Sequence, residues 1–143
     1  MSDSLLESLV KRFAESECSW LSTVRRDGRP HTAPVWHVWH QGHAYVITTA
    51  HAVKTENIRH NPRVVITHPE PVQALILEGN AAFVRDMDDA LRPLFKSKYN
   101  WDFVEEADYD VVIQISPTRL IAWGEEGAGH RRRWPGSELS AIS

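Results

Sequence analysis

Residues 30–67, PHTAPVWHVWHQGHAYVITTAHAVKTENIRHNPRVVIT, decide the fold. The stretch opens as a strand, turns at Gln41-Gly42 and returns as a second strand, HAYVITT. A short helix near 53–60 follows, and RVVITH makes a third strand. Gln41-Gly42 supplies the backbone freedom that a tight hairpin needs. A residue ahead of a proline is pushed out of the helical region, so the helix must stop before Pro62. Several strands with tight turns around one short helix have the rhythm of a small barrel, not of an alternating α/β sheet.

The flanks extend this pattern. Upstream, Ser4-x-x-Glu7 forms a capping box, and Leu5, Leu6, Leu9, Val10 and Phe13 recur at helical spacing, which predicts a helix near 4–16. CSWLSTVRR reads as a strand, and DGR turns it into a second strand that runs from Pro30 to His40. Downstream, VQALILEGNAAFVRD is a long strand with Gly79 at a bulge or bend. Asp86 is expected to cap a helix near 87–99, which Pro93 kinks or divides. DVVIQIS and TRLIAWG form a last pair of strands joined at Pro117. The chain from Glu125 is rich in Gly, Arg and Ser and is expected to be loosely held. The expectation is one mainly β domain over 1–143, a β-barrel with a few short helices, including an N-terminal helix within 1–17 and a tail at 125–143. Strands at 35–39 and 74–77 are apolar on both faces. A second copy of the chain would cover the outer face, so a homodimer is expected.

Composition narrows the function. At 143 residues the chain suits one domain, and its net charge of −3 gives no field that would attract nucleic acid. No run approaches the length of a membrane span, and acids stand where a signal peptide needs bases. Cys18 is the sole cysteine, which excludes an intrachain disulfide and suits a reducing compartment. These features lead us to expect a soluble, cytoplasmic protein without nucleic-acid or membrane partners.

The chemistry gathers around residues 48–57. Thr48 and Thr49 precede a helix start, where backbone N–H groups are unpaired and the dipole is positive. Lys54 and Asn57 are three apart and share a helix face. Such a set can hold a phosphate. The alternative is a solvated helix with an ordinary threonine cap. His37, His40 and His43 suggest a metal, but the turn sets only His40 across from His43, and zinc needs three or four ligands. No metal site is expected. No G-x-S-x-G or glycine-rich phosphate loop is present, and Glu56 and Glu78 form no evident catalytic pair. Trp20, Trp36, Trp39 and Trp123 are read as core or interface residues, with Trp36 the best placed to touch a ligand. Arg25, Arg26 and Arg29 flank a turn and are read as solvated.

The run WLSTVRRDGRPHTAPVWHVWHQGHAYVITTAHAVKTENIRHNPRVVIT, followed by EGNA and ISPTRLIAW, resembles the pyridoxamine 5′-phosphate oxidase-like family of flavin and deazaflavin proteins over residues 18–124. The resemblance implies a split β-barrel of the FMN-binding, Greek-key type, and a homodimer with cofactor at its interface. It also implies that Lys54 and Asn57 bind the cofactor phosphate, with Thr48 and Thr49 nearby. Pro34, Val35, Trp36 and His37 would line the isoalloxazine ring, largely through backbone groups. The implied activity is an FMN-dependent oxidoreductase acting on a small molecule. The deazaflavin coenzyme F-420 is the alternative cofactor, with Arg59 and Arg63 available to its longer tail; a flavin- or haem-binding carrier is the non-enzymatic alternative. The C-terminal Arg and His segment that holds pyridoxal phosphate in true oxidases has only an echo here, in HRRRW at 130–134, which argues against that named activity. Trp134 and its basic neighbours could instead suit an anionic planar ligand.

Overall fold

The computed structural model describes residues 4–70, 73–124 and 131–143. The elements run α1 (Ser4–Glu15), β1 (Ser19–Val24), β2 (Pro30–Val35), β3 (Val38–His40), β4 (His43–Thr48), α2 (Val53–His60), β5 (Arg63–Thr67), β6 (Ala74–Val84), α3 (Asp88–Tyr99), β7 (Val111–Trp123), β8 (Arg132–Pro135) and α4 (Gly136–Leu139). A single 3-10 turn, Phe103–Glu105, follows α3.

All the strand pairs are antiparallel, in the order β2-β1-β5-β6-β7-β4-β3, with β8 also on β7. β2 and β3 therefore lie at opposite edges, although only Trp36 and His37 separate them in the chain. In a flat sheet six strand spacings would part them by roughly 29 Å. Three residue steps reach at most about 11 Å. The sheet must curl until its edges nearly meet, giving the split barrel. The expected continuous strand 30–40 is thus two strands with a corner between them, and that corner closes the barrel.

The barrel interior is filled from several elements. Leu6, Leu9, Val10 and Phe13 of α1 pack on Leu21, Ile66, Leu77, Ile113 and Ile115. On the other side of β4, Leu91, Phe95 and Phe103 cover Val38, Tyr45, Ile47 and Val112. β4 is therefore buried on both faces without a second subunit, which explains its unbroken apolar run. Outer apolar surface remains at Trp20, Trp36, Phe83 and Trp123.

Several local expectations change. β7 is one strand through Pro117, not two. The register slips between Glu78 and Gly79, which face Arg119 and Pro117, so Thr118 is the extra residue of a bulge. Gly79 belongs there because a Cβ would press on the Ile115 side chain and the Ser116 carbonyl at 2.8 Å. Asp86 does not cap α3. It sits in the left-handed region at φ 60°, and Met87 is the N-cap, without a side-chain bond. Pro93 lies inside one uninterrupted α3, and Ser4 lies within α1 rather than ahead of it.

The tail departs most from expectation. Residues 125–130, including His130, lie outside the described residues. Beyond them, β8 pairs with β7, Trp134 and Leu139 are buried in the main core, and Trp39 Nε1 donates to the Ile142 carbonyl at 2.9 Å. Gly136 abuts Pro117 so closely that any Cβ would collide with its backbone. The tail is structural because two large apolar side chains outweigh its polar average. Trp134 has no open face to offer a ligand: it is 4% exposed, with the Arg132 guanidinium 4.9 Å from its ring.

Candidate functional site

The barrel corner, the end of β4 and the start of α2 surround a cavity of about 630 Å³. Six of the eight expected site residues line it: Pro34, Val35, Trp36, Thr48, Thr49 and Lys54. That volume lies within the range of cofactor sites. β2 delivers the first two, and its pairing with β1 holds them at Pro34↔Trp20 and Val35↔Ser19. Thr48 and Thr49 follow from the β4 pairing with β7, which ends at Thr48↔Val111.

α2 starts without a side-chain cap. Its N-cap residue is Ala52, which makes no side-chain cap bond. The threonines are engaged differently from an ordinary cap: Thr55 Oγ1 donates to the Thr49 carbonyl at 2.7 Å and fixes the turn. The helix therefore presents uncapped N–H groups. Lys54 stands in that first turn, partly buried, and pairs with no carboxylate among the described residues; burial pulls its pKa below the usual lysine value. His31, close enough to Lys54 to feel its charge, is held as a neutral imidazole. Its Nδ1 is buried without a partner among the described residues, and after burial the charges of Arg25 and Lys54 lower its pKa further. A phosphate placed near these groups would relieve all three effects. Of the arginines read as solvated, Arg25 is close enough to His31 to lower its pKa, whereas Arg29 pairs with Asp27 at 2.8 Å.

His37 and Asn57 lie behind the wall rather than in it. Asn57 is buried and its Nδ2 donates to Thr23 Oγ1 at 2.9 Å, which ties α2 to β1. His37 is fully buried. Ser19 Oγ lies 2.7 Å from its Nδ1, its Nε2 lies 2.8 Å from the Phe13 carbonyl, and its ring stacks on Phe13 at 4.4 Å. A ring that accepts from Ser19 and donates to Phe13 is neutral, consistent with a pKa pushed down to about 3, chiefly by burial and then by the Lys98 charge. The His37 backbone is engaged too. Tyr99 Oη accepts from its N–H at 3.0 Å and donates to its carbonyl at 3.1 Å, while Lys98 Nζ donates to that carbonyl at 2.7 Å and to the Ala14 carbonyl at 2.8 Å. The corner that presents Trp36 is therefore pinned by α1 on one side and α3 on the other.

The cavity residues not anticipated include Cys18, Trp101, Glu106 and Tyr109. Three of them come from the run NWDFVEEADYD, 100–110, where aromatics interleave with acids. That composition was the available signal. Trp36 stacks on Tyr99 at 4.6 Å with planes 7° apart, and Trp101 meets it edge-on at 5.5 Å. Tyr109 meets Trp101 edge-on at 5.3 Å, and Trp101 Nε1 donates to Glu106 Oε1 at 3.0 Å. His40 does face His43 across the hairpin, and among the described residues no third metal-binding side chain joins them.

The pyridoxamine 5′-phosphate oxidase family matches residues 5–124. No curated protein sequence matches the chain. Among solved structures, a haem-binding protein from Mycobacterium smegmatis superposes with a TM-score of 0.82 at 20% identity, covering 100% of this chain and 62% of that one. The chain thus spans less than two thirds of that protein's length. General Stress Protein 26 from Bacillus anthracis str. Sterne gives 0.67 at 22% identity, over 90% and 98% of the two chains. An F-420 reductase gives 0.65 at 26% identity, over 80% and 94%.

Proposed function

The chain belongs to the pyridoxamine 5′-phosphate oxidase family, and from that premise we propose that it binds FMN in this cavity and acts as an oxidoreductase on a small molecule. The observation that carries the reading is Lys54, partly buried and without a carboxylate partner among the described residues, in the uncapped first turn of α2. Lys54 and the free amides would hold the phosphate, with Thr48 and Thr49 beside them. Pro34, Val35 and Trp36 would flank the ring and exclude water from one side of it. Bound flavin supplies the hydride chemistry, so the protein needs to provide position and electrostatics rather than a strong acid–base set. His37 and Asn57 would act by holding the corner and the helix in place.

A homodimer belongs to the same proposal, since Trp20, Trp36, Phe83 and Trp123 are all more than 40% exposed on one chain. The reaction for which the family is named is not part of it. The described C-terminal residues build β8 and α4, not a second phosphate cradle.

The second reading is the deazaflavin coenzyme, favoured by the likeness to an F-420 reductase. Its longer anionic tail would draw on basic residues near α2. Arg59, however, is already bound to Glu56 at 3.0 Å and to the Ala50 carbonyl at 3.3 Å, which leaves Arg63. The absorption spectrum of the purified protein tests both readings. The paired bands of an oxidised flavin, bleached on adding a reduced nicotinamide, are the expected result. A single deazaflavin band would favour the second reading, and a haem spectrum would overturn both.

A further inference from the structure

We propose that Lys98 is the positioning residue for the ring half of the cofactor: by joining the end of α1 to the barrel corner, its ammonium group fixes Trp36 against the flavin ring and leaves the grip on the phosphate untouched. The inference rests on reading the cavity as a flavin site, and adds a residue that acts on the ring without touching it.

Lys98 stands in the last turn of α3 and does not line the cavity. Its side chain reaches the other way, to two carbonyls from distant parts of the chain. Nζ donates to the Ala14 carbonyl at 2.8 Å and to the His37 carbonyl at 2.7 Å. Ala14 lies in the last turn of α1, where carbonyls have no partner within the helix and the dipole is negative. A cation is the natural cap for that end. Burial, opposed by the charge of Glu17, pulls the Lys98 pKa down to about 8, which leaves the amine charged at neutral pH. The other bonds of the joint are neutral. Tyr99 Oη serves the His37 N–H and carbonyl, and the neutral His37 ring bridges Ser19 and the Phe13 carbonyl. Charge-assisted bonds are roughly twice as strong as neutral ones, so Lys98 makes the strongest bonds in the joint.

The covalent chain carries that hold to the ring wall. Trp36 directly precedes His37, and its indole stacks on Tyr99, the residue after Lys98, at 4.6 Å. When the His37 carbonyl is held, the peptide that carries Trp36 cannot tilt, and the wall has its shape before a ligand arrives. The phosphate end is fixed by other means. Thr48 is set by the pairing of β4 with β7, and the start of α2 by Thr55 Oγ1 on the Thr49 carbonyl and by Asn57 on Thr23. None of these contacts involves Lys98.

The test compares FMN with riboflavin, which has the same ring but no phosphate, in the full chain and in two variants. Lys98→Met keeps the length of the stem and removes both donors and the charge; Lys98→Arg keeps charge and donors. Lys98→Met should weaken both flavins by the same factor, about fivefold or more, for the loss of two charge-assisted bonds. The ratio of FMN to riboflavin affinity, which reads the phosphate grip alone, should change by less than twofold. At saturation, riboflavin bound to Lys98→Met should keep more of its fluorescence than riboflavin bound to the parent, because Trp36 is no longer held parallel to it. A variant that is only less stable would quench the bound ring fully once saturated. Lys98→Arg should restore both affinity and quenching. Thermal melts confirm folding, and Lys98→Gln, with a donor but no charge, replaces the methionine variant if that one does not fold, with the same expected signs. Unchanged riboflavin affinity and quenching, a ratio that falls with the mutation, or an arginine variant that behaves like methionine would overturn the proposal. If neither flavin binds the parent chain, the cofactor reading itself fails; if both bind parent and Lys98→Met alike, only this inference does.

Discussion

His37 couples the stability of the fold to pH, and replacing it gives a quantitative test of the corner. The ring is fully buried, bonded at both nitrogens, and neutral, with its pKa pushed down to about 3. At pH above about 6.5 an imidazole is neutral in both the folded and the unfolded chain, and it contributes no pH slope. Below that value the unfolded chain takes up a proton that the folded chain refuses until about pH 3. Stability must therefore fall as pH falls through this window, by up to about 1.4 kcal/mol per pH unit from this one group. Summed over the window that is on the order of 4–5 kcal/mol, comparable with the whole stability of a small domain. Carboxylates in ion pairs, such as Asp102 and Glu56, lose stability at the acidic end too. His37→Gln isolates the histidine. It should cost about 2–4 kcal/mol at pH 7, because it disturbs two buried hydrogen bonds and the Phe13 stack. It should also have a shallower slope than the parent chain between pH 6.5 and 4.5, above the main carboxylate range. Urea melts at half-unit pH steps would measure both numbers. Parallel slopes for parent and variant would refute the account of a neutral ring buried at the corner.

Other expectations follow from single contacts. Lys54→Ala should weaken FMN binding by about 1.5–3 kcal/mol, the range for a hydrogen bond to a charged group, with little change in melting temperature; fluorescence titration and a thermal melt check both. Asn57→Ala should show the opposite pattern, losing about 1–3 kcal/mol of stability through the stranded Thr23 hydroxyl, while folded protein keeps most of its FMN affinity. Trp134→Ala should cost roughly 3–5 kcal/mol, as for a core aromatic, because the C-terminal strand belongs to the barrel; an unchanged melt would return it to the status of a loose tail. Light scattering should give twice the 16.3 kDa chain mass, and a monomer at micromolar concentration would remove the interface from the proposal.

The parts of the fold that were legible in the sequence are those that local rules govern. The Gln41-Gly42 hairpin, α2 ending ahead of Pro62 and the Gly79 bulge each follow from backbone preferences of one or two residues. The corner at Trp36-His37 was not legible. PHTAPVWHVWH carries a continuous strand pattern, and only the long-range closure of the sheet breaks it. The tail misled for a related reason: its average is polar, and two side chains, Trp134 and Leu139, decide its placement. At the site, Lys54 and the two threonines, neighbours in sequence, line one cavity, whereas Asn57, which helical spacing and the family resemblance both set beside them, does not. Asn57 turns to Thr23, a partner 34 residues away that no local pattern encodes. Trp101, Glu106 and Tyr109 reach the cavity only because α3 packs over β3 and β4.

The central claim is that α2 and Lys54 hold the phosphate of a flavin. Parallel titration of FMN and riboflavin into apo-protein tests it most directly, since the two differ only in that phosphate. The account predicts saturable FMN binding, one equivalent per chain, with riboflavin at least about tenfold weaker because it forfeits a charge-assisted bond. Equal affinity for the two, or no binding of either, would contradict it.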